Sequence, residues 1–298
     1  MSRTTATADA EAITTPLETP WQRFRRRFSA QRAPVVALCF LLLMALVAIL
    51  APWIATHDPN STSLRSAFAG IGWDHLLGAD DIGRDMFSRL VFATRVSLQA
   101  AFQAVALAMA IGVPLGLVSG YVGGWPDVAI MRLVDAMMVF PSLILAIAIV
   151  GFLGPSLTNA MIAIGITYAP YFARIVRGAT LAVREETYIQ ASQQIGASTL
   201  RILRRHVLPN ILSPLVVQAT LSLGLAILSE AALSFLGMGV QPPNASWGGM
   251  LRRSFSFIDQ SALNVVTPGI MIMLVVLAFN VLGDGLRDAI GRETRTGK

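Results

Sequence analysis

The sequence predicts an all-α polytopic membrane protein with six transmembrane helices and with both termini in the cytoplasm. Hydrophobic residues make up 54% of the 298-residue chain, charged residues only 13%, and the mean hydropathy is +0.63. A soluble domain has about 25% charged residues. The apolar residues form long uncharged runs, and most of the basic residues lie between those runs. These observations exclude an ordinary soluble domain.

Uncharged runs that are long enough to cross a bilayer occupy much of the chain. A hydrocarbon core about 30 Å thick requires roughly 20 apolar residues in a helix. The runs are 35–54, 96–126, 136–173, 207–229 and 260–283. The run 136–173 is too long for one helix, and the glycines and proline within 151–159 predict a turn that divides it. The sequence therefore predicts six spans.

The distribution of basic residues predicts the orientation of these spans. With the N-terminus in the cytoplasm, 17 of the 23 arginines and lysines lie inside, as the positive-inside rule requires. The first apolar run is longer than the core of a signal peptide, so we expect an uncleaved helix. The predicted segments are a basic cytoplasmic tail (1–33), a first transmembrane helix (34–54), an extracytoplasmic segment (55–93), a transmembrane core (94–284) with a cytoplasmic loop (174–210), and a cytoplasmic tail (285–298).

The basic residues also limit the chemistry that this chain can perform. A Walker A loop needs a lysine that reaches the nucleotide phosphates, and the only lysine is Lys298. Any associated ATP hydrolysis would therefore take place on another polypeptide. We assign the basic N-terminal tail to anionic lipid headgroups and expect no role in nucleic-acid binding.

The histidines and acidic residues show no catalytic or metal-ligand spacing. The three histidines are scattered along the chain: His57, His75 and His206. Four aspartates precede the second span: Asp74, Asp80, Asp81 and Asp85. Their spacing fits no EF-hand loop. We interpret Asp80 and Asp81 as caps of a helix that begins near Gly83, and Asp85 as an i, i+4 partner of Arg89. The sequence therefore predicts no catalytic residue, no metal site and no cofactor bound by this chain.

Two acidic residues in the predicted spans are candidates for a translocation path, because an ionisable group in a membrane is costly and faces protein or water. Glu230 could line the path or bond to a neighbouring helix. Asp135 could also line the path, or it could form a local ion pair with Arg132, three residues before it. The segment 242–249 is interpreted as a rigid extracytoplasmic turn with Trp247 as a membrane-interface anchor.

The stretch 190–210, "QASQQIGASTLRILRRHVLPN", is polar and basic within an apolar chain. Gly196 interrupts its broken apolar stripe, since glycine costs about 1 kcal/mol relative to alanine in a helix. Ser198 or Thr199 could cap a second helix, and Pro209 opposes clean continuation into the next span. The pattern predicts two short helices at an angle on the cytoplasmic face. They would dock on a cytoplasmic partner or rest on lipid.

The spacing in this stretch resembles the cytoplasmic loop of ABC-importer permeases. The family pattern is Glu-Ala-Ala, three residues, Gly, nine residues, Ile, any residue, and Leu-Pro. The matching residues are Ala191, Gly196, Leu208 and Pro209. Gln190 stands where the family has an acid, Ser192 where it has alanine, and His206 where it has isoleucine.

Three further segments, 76–98, 131–147 and 230–251, are similar to the second, C-type permease of dipeptide, oligopeptide and nickel systems. This resemblance implies the type I ABC-importer permease fold in a bacterial or archaeal cytoplasmic (inner) membrane. It also implies a related partner permease, two subunits that bind ATP and Mg, and an extracytoplasmic binding protein. The residues expected to couple the loop to an ATPase subunit are Tyr188, Gln190, Ala191, Ser192, Gly196, Ala197, Arg201, Leu208 and Pro209.

The function predicted from this resemblance is the permease of an ATP-driven importer of dipeptides or oligopeptides. A nickel or nickel-chelate importer of the same family is the alternative. A stand-alone secondary transporter is less favoured, because the sequence shows no pair of inverted repeats with broken helices. A membrane-embedded enzyme would need a cluster of intramembrane acids or histidines, and the sequence shows none.

Overall fold

A computed structural model describes residues 19–291, and within this range the chain is built from helices joined by turns and loops. In chain order the α-helices are α1 (Pro20–Ser29), α2 (Arg32–Ile49), α3 (Ala51–Ile54), α4 (Met86–Val122), α5 (Gly124–Val139), α6 (Ser142–Leu153), α7 (Leu157–Arg184), α8 (Thr187–Gln194), α9 (Thr199–Ile202), α10 (Leu208–Asn210), α11 (Leu212–Phe235), α12 (Trp247–Phe255) and α13 (Ala262–Gly291). A 3₁₀ turn spans Leu64–Ser66, and a π-helical turn spans Leu203–Val207.

Among the described residues, four helices are long and apolar enough to cross a bilayer, namely α2, α4, α11 and α13. The bent pair of α5 and α6 is a fifth candidate span. The predicted fourth span falls in α7, which has 28 residues, and the total of six spans stays a prediction. With 37 residues, α4 is roughly 55 Å long at about 1.5 Å per residue, so it extends beyond the hydrocarbon core.

The predicted third span is not one straight helix, because α5 and α6 meet at an angle of 93°. Phe140 adopts an extended conformation with φ −83° and ψ 136°. It precedes Pro141, whose ring disfavours helical geometry at the residue before it. The proline therefore interrupts the apolar run at a point that hydropathy did not reveal. The predicted turn within 151–159 is present, with Ser156 as the N-cap of α7.

A stripe of glycines brings α4 very close to α7. Gly112, Gly116 and Gly120 recur every fourth residue and therefore lie on one face of α4. A Cβ atom added at Gly116 would lie 2.5 Å from the carbonyl oxygen of Ala173. Only glycine allows this approach of two backbones, as at small-residue interfaces between membrane helices. The sequence analysis did not single out this stripe.

The buried core lies around α7, which packs against α4, α6 and α11, while α13 closes the other side of α11. Phe172 of α7 and Ile227 of α11 are completely buried there. By contrast, the outward faces of α2, α5 and α6 expose large apolar side chains such as Val36, Val139 and Phe152. Apolar surface of this extent suits lipid or another membrane helix.

The segment 242–249 begins with the predicted turn, at 242–244, but its tryptophan is not the predicted interface anchor. Trp247 begins α12 and is 0% exposed, so it cannot anchor the chain at a lipid interface. Ser246 caps α12 by accepting a hydrogen bond from the Gly249 amide at 3.2 Å. Gly248 packs against the α11 backbone, where an added Cβ would lie 2.3 Å from the Ala231 carbonyl oxygen. Packing against α11 therefore outweighs the interfacial preference of tryptophan.

Candidate functional site

The loop between α7 and α11 contains the two short helices that the sequence predicts, α8 and α9. The chain does not continue cleanly into α11, as predicted, but the break does not lie at Pro209 itself. After α9 the backbone continues through the π-helical turn into α10, and Pro209 occupies the first turn of α10. Proline is tolerated in that position because its missing N–H would have no helical partner. The break before α11 instead falls at Ile211, with φ −97° and ψ 2°.

Gly196 ends α8 in a Schellman motif. Its amide donates to the Gln193 carbonyl at 2.9 Å, and the Ala197 amide donates to the Ser192 carbonyl at 3.1 Å. The φ angle of Gly196 is +78°, and an added Cβ would meet nothing within 4 Å. Glycine is therefore favoured here by backbone conformation and not by close packing within this chain. The turn sets the angle between α8 and α9.

The inner face of the loop is anchored to the helical core. Its buried residues are Ile189, Ile202 and Val207. Two hydrogen bonds also reach the C-terminal end of α4, where Gln193 Nε2 donates to the Tyr121 hydroxyl at 3.0 Å and Arg184 Nη1 donates to the Tyr121 carbonyl at 3.1 Å. The loop is therefore linked to α4 by hydrogen bonds and to α7 and α11 through the chain.

The outer face of the loop presents apolar side chains to the surroundings. Ile195 is 85% exposed, Leu200 is 64% exposed and Tyr188 is 42% exposed. Of the other predicted coupling residues, Ala191 and Arg201 are also exposed. Apolar side chains held outward by a buried inner face form a surface suited to docking. We call Tyr188, Ile195 and Leu200 the outer face.

The residues that depart from the family pattern make contacts within the loop itself. The ring of His206 lies 6.2 Å from that of Tyr188, and Ser192 Oγ donates to the Tyr188 carbonyl at 2.8 Å. Asn210 Nδ2 donates to the Tyr188 hydroxyl at 3.0 Å. Gln190 donates from its side chain to the Glu185 carbonyl at 3.2 Å. The contacts of His206, Ser192 and Asn210 hold Tyr188, one of the predicted coupling residues.

Ion pairs fasten α5 to the C-terminal half of α7. Arg177 donates in bidentate geometry to Asp127, at 2.6 and 2.7 Å. Arg174 donates to Asp135 at 2.5 Å, so the local pair predicted between Asp135 and Arg132 is wrong. The bend between α5 and α6 explains the difference, since it lays α5 against α7. The side chain of Asp135 is 58% exposed.

Glu230 lies between helices and not on an open surface. It is 1% exposed, and it accepts hydrogen bonds from Ser97 Oγ at 3.1 Å and Ser234 Oγ at 2.7 Å. Ser97 in turn accepts a hydrogen bond from the Trp247 amide at 3.3 Å. The buried carboxylate therefore joins α4, α11 and the start of α12. A buried charge is tolerated only with such partners.

The aspartates before α4 do not have the roles that the sequence predicted. The helix begins at Met86, and its N-cap is Asp85, which accepts from the Ser88 amide at 2.8 Å. Asp80 forms a turn and an ion pair with Arg84, whose Nε donates at 2.7 Å. Arg89 donates to the carbonyl of Pro59 at 2.9 Å and not to Asp85. Capping requires a side-chain acceptor immediately before the first turn, and of these aspartates only Asp85 has that position.

Asp81 joins the segment before α4 to α12. Arg253 donates to its two oxygens at 2.6 and 2.8 Å, and this hydrogen bonding raises the pKa of Arg253. The pair borders a cleft of about 470 Å³. Its charged lining consists of Asp81, Arg84, Arg89, Arg252 and Arg253. Sequence analysis missed this cleft, although arginines on the side predicted to be poor in positive charge were a signal for it.

Comparison with known protein families is consistent with this architecture. Residues 112–296 match the family described as binding-protein-dependent transport system inner membrane component. Residues 19–70 match the N-terminal TM domain of oligopeptide transport permease C. The chain therefore belongs to the family of binding-protein-dependent transport system inner membrane components.

Two relatives narrow the comparison to C-type permeases. The dipeptide transport system permease protein DppC of Alkalihalophilus pseudofirmus is 46% identical over 271 residues, which cover 91% of this chain and 89% of the relative. The glutathione transport system permease protein GsiD of Shigella flexneri serotype 5b is 46% identical over 275 residues, which cover 92% of this chain and 91% of the relative. The predicted resemblance to the C-type permeases of peptide ABC importers is confirmed.

A solved structure confirms the predicted fold. An inward-facing structure of the MetNI methionine ABC transporter aligns with a TM-score of 0.57 and covers 68% of this chain and 97% of that chain. Because only 22% of the residues are identical, the likeness concerns the ABC-transporter permease fold and nothing further.

Proposed function

We propose that this chain is the C-type permease subunit of an ATP-driven peptide importer in the cytoplasmic membrane. The family assignment supports the importer. The peptide substrate is supported by two relatives named for a dipeptide and for glutathione, which is itself a tripeptide. Neither of these names refers to nickel, so we prefer peptides to the nickel alternative.

The proposed mechanism depends on the outer face of the cytoplasmic loop. Ile195 and Leu200 would enter a groove on an ATPase subunit, and the exposed Arg201 would face acidic groups at its rim. ATP and Mg would act on two such partner subunits, since this chain lacks a Walker A lysine. Movement of the docked loop would reach α7 and α11 directly and α4 through Gln193 and Tyr121. The predicted coupling residues Ala197, Leu208 and Pro209 would shape this loop.

Other surfaces suit the remaining partners. The exposed apolar faces of α5 and α6 would meet lipid or a related permease, and the arginine-lined cleft would face an extracytoplasmic binding protein. In α1, Trp21, Phe24 and Phe28 stack along one side, as in a helix that lies in the lipid interface.

We propose different roles for the two acidic candidates for the translocation path. Asp135 is exposed and paired with Arg174, so it would border the path near the cytoplasm. Glu230 would instead hold the extracytoplasmic ends of α4, α11 and α12 in register, because its carboxylate is enclosed by them.

Reconstitution of the complete complex tests the proposal. The chain would be co-expressed with its genomic neighbours, and uptake of labelled dipeptide and binding-protein-stimulated ATP hydrolysis would be measured. Ile195→Asp and Leu200→Asp should each reduce coupled uptake about ten-fold or more, the scale of a central interface residue. Ile71→Asp is the control, since Ile71 is 68% exposed in the segment before α4.

Two results would contradict the proposal. Unchanged uptake in both loop variants would exclude the loop as the coupling element. Uptake by this chain alone in liposomes without ATP would exclude the importer. Competition of uptake by dipeptide, glutathione and Ni²⁺ would separate the peptide and nickel alternatives.

A further inference from the structure

Two histidines and an aspartate that are distant in the sequence meet at the start of α4. His75 Nδ1 lies 2.9 Å from Asp85 Oδ1, and His57 Nδ1 lies 3.9 Å from Asp85 Oδ2. The two imidazole rings are 5.2 Å apart between centroids. One ligand atom from each residue can be chosen so that all three atoms lie within 4.8 Å of one another. The spacing of these residues along the chain gave no signal of this cluster.

We propose that His57, His75 and Asp85 form a binding site for a divalent transition metal of the Zn²⁺ type. Two imidazoles and one carboxylate are a common set of three protein ligands, with water completing the coordination. Zn²⁺ binds such ligands at about 2.0–2.2 Å, so its ligand atoms lie roughly 3–4 Å apart. The distance of 2.9 Å runs to Asp85 Oδ1 and that of 3.9 Å to Asp85 Oδ2. A set with one atom from each residue lies within 4.8 Å, so the exposed ring of His57 would turn towards the cation when it binds.

The carboxylate is already held for this role. Oδ2 caps α4 and accepts from Thr56 Oγ1 at 3.3 Å. Oδ1 faces His75. Bonds from surrounding groups that orient a ligand in this way are typical of metal sites.

The two histidines differ in how freely their side chains can move. The side chain of His75 is 14% exposed, whereas that of His57 is 44% exposed. His57 can therefore rotate towards the cation, and the open side of the site can hold water. Asp58 and Asp74 adjoin the two histidines in the sequence and are exposed, so their negative charges would attract a cation.

The bound cation would fasten an otherwise irregular segment. Between α3 and α4 the described chain has only the 3₁₀ turn Leu64–Ser66 as regular helix. His57 follows the first span, His75 lies in the middle of the segment, and Asp85 begins α4. A cation shared by the three would tie the first span to the transmembrane core. This inference is independent of the transported substrate.

Metal binding by the assembled complex tests the site. The complex would be purified through a histidine-free affinity tag, treated with a chelator, dialysed, and equilibrated with Zn²⁺ alone. Bound metal would be counted by elemental mass spectrometry, and affinity would be measured against a chelating indicator. The unaltered complex should bind one more Zn²⁺ per copy of this chain than complexes with His57→Ala or His75→Ala, whose affinity at this site should fall about 10–100-fold or more.

Two further variants make the result specific. His206→Ala removes the one histidine outside the site and should retain the Zn²⁺. Asp85→Asn should lose it while keeping a helix cap, because asparagine caps helices as well as aspartate does. Equal Zn²⁺ content in the unaltered, His57→Ala and Asp85→Asn complexes would overturn the proposal. His57 is half exposed, so its variant should assemble even if His75→Ala does not.

Discussion

Glu230 is a residue whose surroundings distinguish a structural role from a transport role. Its carboxylate accepts hydrogen bonds from Ser97 of α4 and Ser234 of α11. The sequence could show that a carboxylate lies within an apolar run, and therefore that it has partners. It could not show that these partners are serines from two helices, since Ser97 is 133 positions away.

We expect Glu230→Ala to destabilise the assembled complex by about 1–3 kcal/mol, because it leaves buried hydroxyl groups without their acceptor. Glu230→Gln retains an acceptor and should be milder. Thermal unfolding of the purified complexes measures the difference. If Glu230→Gln instead abolished uptake without changing the unfolding temperature, the residue would belong to the translocation path.

Gly196 gives a second test at the level of one residue. Its φ of +78° is a left-handed conformation that costs an L-residue roughly 1–2 kcal/mol. Gly196→Ala should therefore distort the angle between α8 and α9 and weaken binding-protein-stimulated ATP hydrolysis. Gly196→Asn should retain more activity, since asparagine tolerates this conformation. Equal activity in both variants and the unaltered protein would show that the angle is unimportant.

The helices can be predicted from the sequence where they depend only on residues that are close together in the chain. Long uncharged runs predicted α2, α4, α11 and α13, and glycine and proline predicted the turn before α7. The bend at Pro141 was also local, yet the long apolar run concealed it. The buried position of α12 was not predictable, because it depends on Gly248 meeting the distant backbone of α11.

The contact between α4 and α7 gives a test at the level of helices. Gly116→Ala places a Cβ 2.5 Å from the Ala173 carbonyl oxygen and should lower both assembly and thermal stability, by an overpacking cost of about 1–3 kcal/mol. Gly178→Ala on α7 is the matched control, since its Cβ would meet nothing within 4 Å. Size-exclusion chromatography with increasing temperature compares the two. Similar behaviour of both variants would contradict close packing of these helices.

For the whole molecule, the predicted orientation can be tested with single cysteines. Cys39 is the one native cysteine and would be replaced by alanine. In that background, expressed without the ATPase subunits that would cover the loop, Trp73→Cys and Leu200→Cys introduce thiols at positions that are 97% and 64% exposed. A membrane-impermeant maleimide applied to intact spheroplasts should label position 73 at once, and position 200 only after permeabilisation. The reverse pattern would overturn the N-in, C-in topology.

The sequence by itself determined that this chain crosses a membrane and lacks a Walker A lysine, and it predicted which loop faces the cytoplasm. These conclusions depend on hydropathy, charge and composition, which are properties of the chain as a string of residues. Tertiary structure decided which polar groups meet: Asp135 with Arg174, Asp81 with Arg253, and His57 and His75 with Asp85. The bend at Pro141 and the packing of helices set the first two pairs, and the path of the irregular segment between α3 and α4 sets the third. Each depends on where separate parts of the chain lie in space, which a string of residues does not record.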